Sequence, residues 1–159
     1  NWRLRVFGEV DNEKEFTWDE FMGLPQNSLN GDFHCVTHWS AMNNTWEGVL
    51  GRDFLCIAKP TTAASYVMVH CYGGYTTNIP LEAVVNDAIL ARSHNGEPLN
   101  LDHGWPLRLV VPTRYGWKSA KWVCALEFMS ENKPGFWEMR GYNDNADPWK
   151  EERFWDDFS

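Results

Sequence analysis

The sequence predicts an α+β fold, a mixed β-sheet domain with short helices. Three observations carry this. Strand patterns recur along the whole chain, the clearest being "PLRLVVP" and "KWVCALEFM". The helical patterns between them are short, none longer than the stretch from Val49 to Ala58. No internal repeat, low-complexity stretch or linker interrupts residues 1–159, so a single domain is expected.

Each element has its own signal. "NWRLRVFGEV" sets Trp2, Leu4 and Val6 against Arg3, Arg5 and Phe7, a half-buried strand closed by Gly8. In "TWDEFMGLP", Thr17 and Glu20 have capping-box spacing, and Phe21 and Leu24 share one face of a short helix that ends by Pro25. "DFHCVTHW" reads as a strand running into a loop, and the turn-rich "SAMNNTWEG" follows it. The apolar segment Val49 to Ala58, stopped by Pro60, reads as a helix that turns Arg52 and Asp53 to water. "SYVMVHC" is a strand ending at Gly73-Gly74. "IPLEAVVNDAILARS" fits a short helix over 81–86, then a strand entering a hairpin at Asn95-Gly96. In "KWVCALEFM", Trp122, Cys124, Leu126 and Phe128 fall on one face. The aromatic tail "GFWEMRGYNDNADPWKEERFWDDF" is expected to wrap the domain.

Composition narrows the function classes. The chain is long enough to bury a core, and no run of about 18 apolar residues suits a membrane span. A formal net charge of -8 disfavours nucleic acid or an anionic membrane surface as partner. Cys35, Cys56, Cys71 and Cys124 show neither CxxC nor zinc spacing, and suggest no disulfide framework. That favours a reducing, cytoplasmic compartment. The chain starts at Asn1 inside a strand pattern, so an upstream segment is expected, and a signal within it leaves the periplasm open.

Two features stand out. Between Asp102 and Glu127 there is no carboxylate, while Arg108, Arg114, Lys118, Lys121 and His103 fall in the same stretch. A loop such as "RYGWKSAKW", with lysines, a serine hydroxyl and backbone N–H groups, suits a phosphate, although ordinary solvated strand flanks have the same composition. The spacing is not that of a Walker A loop. The second feature is Cys35, between His34 and His38. A buried inert thiol, a nucleophile with a histidine base, and a ligand to a metal held mainly by an organic cofactor all stay open on the residues alone. In the last case a phosphorylated cofactor would also need the anion site.

The words "HCVTHWS" with "TWEGV", "GYTTNIPLE", "NGEPLNLDHGWPLRLVVPTRYGWKSAKW" and "PGFWEMRGYNDNADPWKEERF" occur in the order found in one family. The chain resembles the molybdopterin-binding domain of the sulfite oxidase family. It is especially similar to small bacterial members lacking both a heme domain and the C-terminal dimerisation domain. The resemblance implies a molybdenum-molybdopterin cofactor (Moco), with Cys35 as the protein ligand to molybdenum. It implies that His103 and Arg108 lie against the pterin or its phosphate, and that Lys118, Ser119, Ala120 and Lys121 surround the phosphate. His70 and Cys71 end a strand that lies near the metal in relatives, and Trp46 matches a tryptophan near the substrate pocket. His38, His70 and Trp46 are the expected residues of the open metal face.

The resemblance therefore implies an oxidoreductase that transfers an oxygen atom to or from a small substrate, possibly sulfur-containing, with a redox partner protein. A cofactor-binding or electron-relay module without turnover is the alternative, and a Cys-dependent hydrolase the third. Sulfite-oxidising relatives carry arginines just after the cysteine, whereas this chain has Thr37, His38 and Trp39. That difference points to a less anionic substrate than sulfite. Nothing in the sequence speaks to the oligomeric state.

Overall fold

In the computed structural model, the described residues are 1–34, 40–112 and 120–131, with the side chains of 31–34 and 40–43 left aside. The elements in chain order are β1 (Arg3–Gly8), β2 (Lys14–Thr17), α1 (Trp18–Met22), β3 (Asn27–His34), β4 (Ser40–Leu50) and α2 (Gly51–Ala58). They continue as β5 (Tyr66–Cys71), β6 (Thr76–Pro80), α3 (Leu81–Asp87), β7 (Ile89–His94), β8 (Glu97–Pro98), a 3-10 turn (Leu101–His103), β9 (Arg108–Val110) and β10 (Val123–Met129). No helix among the described residues is long and apolar enough to cross a membrane.

Two five-stranded sheets result. The first has the order β2-β1-β10-β5-β6, with β1 parallel to β10 and every other pair antiparallel. The second runs β3-β4-β7-β8, and β9 also pairs with β7. One large core takes Leu4 and Val6 from β1, Val67 and Val69 from β5, and Leu126 and Phe128 from β10. It also takes Val49, Leu90 and Leu109 from the second sheet, and Phe54 and Val84 from α2 and α3. A smaller cluster, Trp46, Ile89, Ala91, Leu99 and Val110, holds the alternate residues of the second sheet. Ile89 and Ala91 thus lie on the face opposite Leu90, which explains why the β7 run is apolar without alternation.

The Thr17–Glu20 capping box is present in both directions, and Leu4 and Val6 are fully buried as the alternation requires. The hairpin at Asn95-Gly96 is also present, both residues having positive φ. Three expectations need correction. "SAMNNTWEG" is not a turn region but most of β4, the longest strand among the described residues. Pairing with β3 on one side and β7 on the other outweighs the low strand propensity of its asparagines. Val49 and Leu50 accordingly belong to β4, and α2 starts at Gly51; it ends at Ala58 and is capped by Lys59, whose left-handed backbone (φ 53) precedes Pro60. In β10 an irregularity between Val123 and Ala125 breaks the expected face: Val123 joins Leu126 and Phe128 in the core, Trp122 is exposed and Cys124 half-buried. The aromatic tail lies outside the described residues.

Gly48 is fixed by close approach. A Cβ there would come within 1.9 Å of the Leu90 carbonyl oxygen and 2.9 Å of the Ala91 Cα, all backbone. Gly48→Ala is therefore expected to destabilise the fold by about 3 kcal/mol or more, at the upper end of overpacking costs. A urea denaturation midpoint compared with wild type checks it.

Candidate functional site

Chain direction brings the site together at one end of the second sheet. β3 and β4 pair from Asn27↔Gly48 to His34↔Ser40, the residue that precedes Cys35 in the chain being His34. β7 runs antiparallel to β4 with Trp46↔His94, and β9 antiparallel to β7 with Ala91↔Arg108. His94, Arg108 and the turn before Arg108 therefore lie toward the same end as the His34↔Ser40 pair.

A bulge aims the side chains. Glu47 pairs with Ser93 and Gly48 with Ala91, leaving Arg92 as the extra residue on β7. The extra residue shifts the alternation, so His94 shares a face with Ala91 and Trp46 instead of pointing the other way. Arg92 itself is tied off by Gln26 Oε1 at 2.9 Å. The His94 ring lies 4.3 Å from the Trp46 ring, and the Arg108 guanidinium lies 5.2 Å from the same indole.

The 3-10 turn forms the other wall. Asn100 caps it, its Oδ1 accepting from the His103 backbone N–H at 2.9 Å and facing His103 Nδ1 at 2.7 Å. Three successive turn carbonyls each receive a side-chain donor: Trp122 Nε1 to Leu101 O at 2.7 Å, Lys121 Nζ to Asp102 O at 2.8 Å, and Arg108 Nη1 to His103 O at 3.2 Å. Gly104 closes the turn at φ 108, and a Cβ there would sit 3.0 Å from the Arg108 Cβ and 3.2 Å from the Lys121 Cβ. Only glycine combines that backbone with so close an approach. Ala120 is buried in the core, and its carbonyl accepts from Leu109 N–H at 2.8 Å, which fixes the start of the Lys121 segment against β9.

The electrostatics are one-sided. Arg108 is only 3% exposed, and burial lowers its pKa to about 10, still well above neutrality. Burial and then the Arg108 charge lower Lys121, against an opposing pull from Asp102. Burial, then Arg108, then His103 hold His94 below its ordinary value. The Arg108 charge depresses both Lys121 and His94, and an anion placed among them would offset it. A phosphate-bearing cofactor thus fits the donor set: a buried planar guanidinium, an ammonium and an oriented imidazole around one turn.

The expected site residues divide. Trp46, His103, Arg108 and Lys121 come together, with Ala120 as a structural support. Cys35, His38, Lys118, Ser119 and Arg114 lie outside the described residues. His70 and Cys71 belong elsewhere. Alternation along β5 sends Val67, Val69 and Cys71 into the large core, so His70 faces the outer side of the first sheet. There its Nε2 lies 3.0 Å from Glu127 Oε1 and its ring 5.9 Å from the Phe7 ring. Trp46 lies on the outer side of the second sheet, across the core. Cys71 is 5% exposed, and burial, helped by Cys124, pushes its thiol up to about 12, so it is a neutral core residue. His94 and Asn100 were missed by sequence reading. Asn100 carried a signal, a cap residue three before His103. His94 carried none, since its direction depends on the bulge.

Comparison with known proteins identifies the family. The chain is 44% identical over 98% of its length to the "Uncharacterized oxidoreductase YuiH" of Bacillus subtilis, covering 79% of that protein. It is 33% identical over 90% of its length to YedZ1 of Azospira oryzae, named provisionally as a protein-methionine-sulfoxide reductase subunit, covering 55% of it. The fold is shared with the sulfane dehydrogenase SoxCD of Paracoccus pantotrophus: TM-score 0.75, 24% identity, 82% of this chain and 38% of that one. The chain thus spans only part of some of the longer proteins it matches. Residues 1–137 match the family described as "Oxidoreductase molybdopterin binding domain", and the chain belongs to that family.

Proposed function

We propose that the protein uses its molybdenum cofactor for oxygen-atom transfer to or from a small sulfur-containing substrate, with a sulfoxide preferred over sulfite. The observation that carries the cofactor part is the buried Arg108 beside Lys121 and His103, a cationic cradle in a chain of net charge -8. When bound, the cofactor supplies two-electron redox chemistry at molybdenum. The chain's own residues hold and orient it. Arg108 and Lys121 neutralise the pterin phosphate, and their bonds to the turn carbonyls fix them before it arrives. Cys35, by the family resemblance, holds the metal as a thiolate. Trp46 closes the wall beside Arg108 and excludes water there. Electrons come from or go to a redox partner protein.

The preference against sulfite follows from Val36, Thr37, His38 and Trp39, none of which carries a permanent positive charge. The name of YedZ1 supports the sulfoxide side. Elemental analysis and pterin fluorescence on the purified chain test the cofactor, and a substrate screen in both redox directions tests the chemistry. With an artificial electron donor, sulfoxide reduction is expected to exceed sulfite oxidation by at least tenfold in kcat/KM. Efficient sulfite oxidation would reverse the substrate assignment.

A further inference from the structure

The bulge at Arg92 places one more titratable group on the face of the cradle, and the function proposed above leaves it unused. That group is His94. Its Nε2 lies 2.6 Å from the Oδ1 of the buried Asn44, so Nε2 carries the hydrogen and Nδ1 is where a second proton adds. Its ring lies 4.3 Å from the Trp46 indole, with the two planes 31° apart. The Arg108 guanidinium is 5.2 Å from the same indole. Imidazole and guanidinium therefore lie inside one Debye length, about 10 Å at 0.1 M salt.

We propose that His94 is the proton-linked partner of the cradle: an anion held by Arg108 and Lys121 draws a proton onto His94 Nδ1, and that proton in turn tightens the anion. This rests on the reading of the cradle as an anion site, whatever larger molecule the anion belongs to. Among the described residues, the charged or titratable groups near His94 are Arg108 from β9 and His103 from the turn, with the exposed Glu97 across the hairpin from it. Asn44 and Trp46 from β4 are neutral. Two of the three causes that hold His94 below its ordinary value are the positive charges of Arg108 and His103. An anion offsets those charges and so raises the His94 pKa. Reciprocity then fixes the sign: affinity rises as pH falls from the anion-bound pKa to the free one, and is flat above both.

The test uses the full chain with isotope-labelled histidine rings and sulfate as the probe, because sulfate keeps its charge across the range. Nuclear magnetic resonance follows the His94 titration with and without sulfate at constant ionic strength. The midpoint is expected to rise by half a unit or more, equivalent to roughly threefold tighter sulfate in acid. The rise should shrink in Lys121→Gln. In His94→Gln, which keeps an N–H toward Asn44 but cannot titrate, the acid tightening should disappear. In chain that carries the pterin, the midpoint should start high and fall on cofactor release. A midpoint indifferent to both sulfate and cofactor overturns the proposal, as does a wild-type acid slope in His94→Gln. Pterin content measured on the same sample keeps the two readings apart: no pterin counts against the proposed function, and the sulfate shift still decides the role of His94.

Discussion

Cys35→Ala is expected to bring molybdenum-dependent turnover to background while the fold stays intact. The β3–β4 hairpin is held by backbone pairs from Asn27↔Gly48 to His34↔Ser40, none of which involves Cys35. Loss of one small side chain leaves those backbone pairs in place. It removes the only cysteine in the family's ligand word. Thiolate ligation is what couples the metal to the protein electronically, so its loss reaches turnover directly. Molybdenum content, turnover and circular dichroism on wild type and mutant check this. Full activity in the mutant would sink the ligand assignment.

The second large effect is expected at the cradle. Lys121→Ala removes one charge-assisted partner of an anion, worth about 1.5–3 kcal/mol, which is roughly ten- to a hundredfold in cofactor retention. Lys121 is only half-buried, so the substitution should leave the thermal midpoint near wild type. Arg108→Ala should lose retention at least as strongly and also stability, because it empties a buried volume against Trp46 and frees the His103 carbonyl. The exposed Arg52 on α2 makes a suitable control. Lys14 does not, because its ammonium donates to the Ile57 carbonyl and so ties β2 to α2. Equal pterin retention in Lys121→Ala and Arg52→Ala would show the cluster to be a solvated surface.

How much was legible in the sequence depended on the range of the interaction that decides each feature. The alternation of β1, the capping box at Thr17 and the Asn95-Gly96 hairpin are set by neighbours in the chain, and each appears as read. β4 was hidden because its strand character comes from pairing on both edges, with β3 just before it and with β7, distant in sequence. Among the site residues, Arg108, His103 and Lys121 were legible through a local reversal of charge sign and through the family words. His70 and Cys71 were misplaced because adjacency in sequence along β5 means opposite faces of a sheet: one went to the core and the other to its far side. His94 was hidden for a related reason, since one unpaired residue upstream decides which way it points.

That unpaired residue has a consequence for how this stretch tolerates change in length. Between Ala91 and Ser93 one residue stands outside the pairing count that sets orientation. A variant lacking Arg92 would close the bulge, leave His94 two positions after Ala91 and so keep the imidazole on the Trp46 face. Substitution or deletion of Arg92 costs its contacts to Gln26 and Ser93 but leaves the parity up to the hairpin turn unchanged. In comparing relatives, a one-residue gap here would therefore leave a histidine beside the cradle, whereas the same residues paired straight through without the bulge would turn it away.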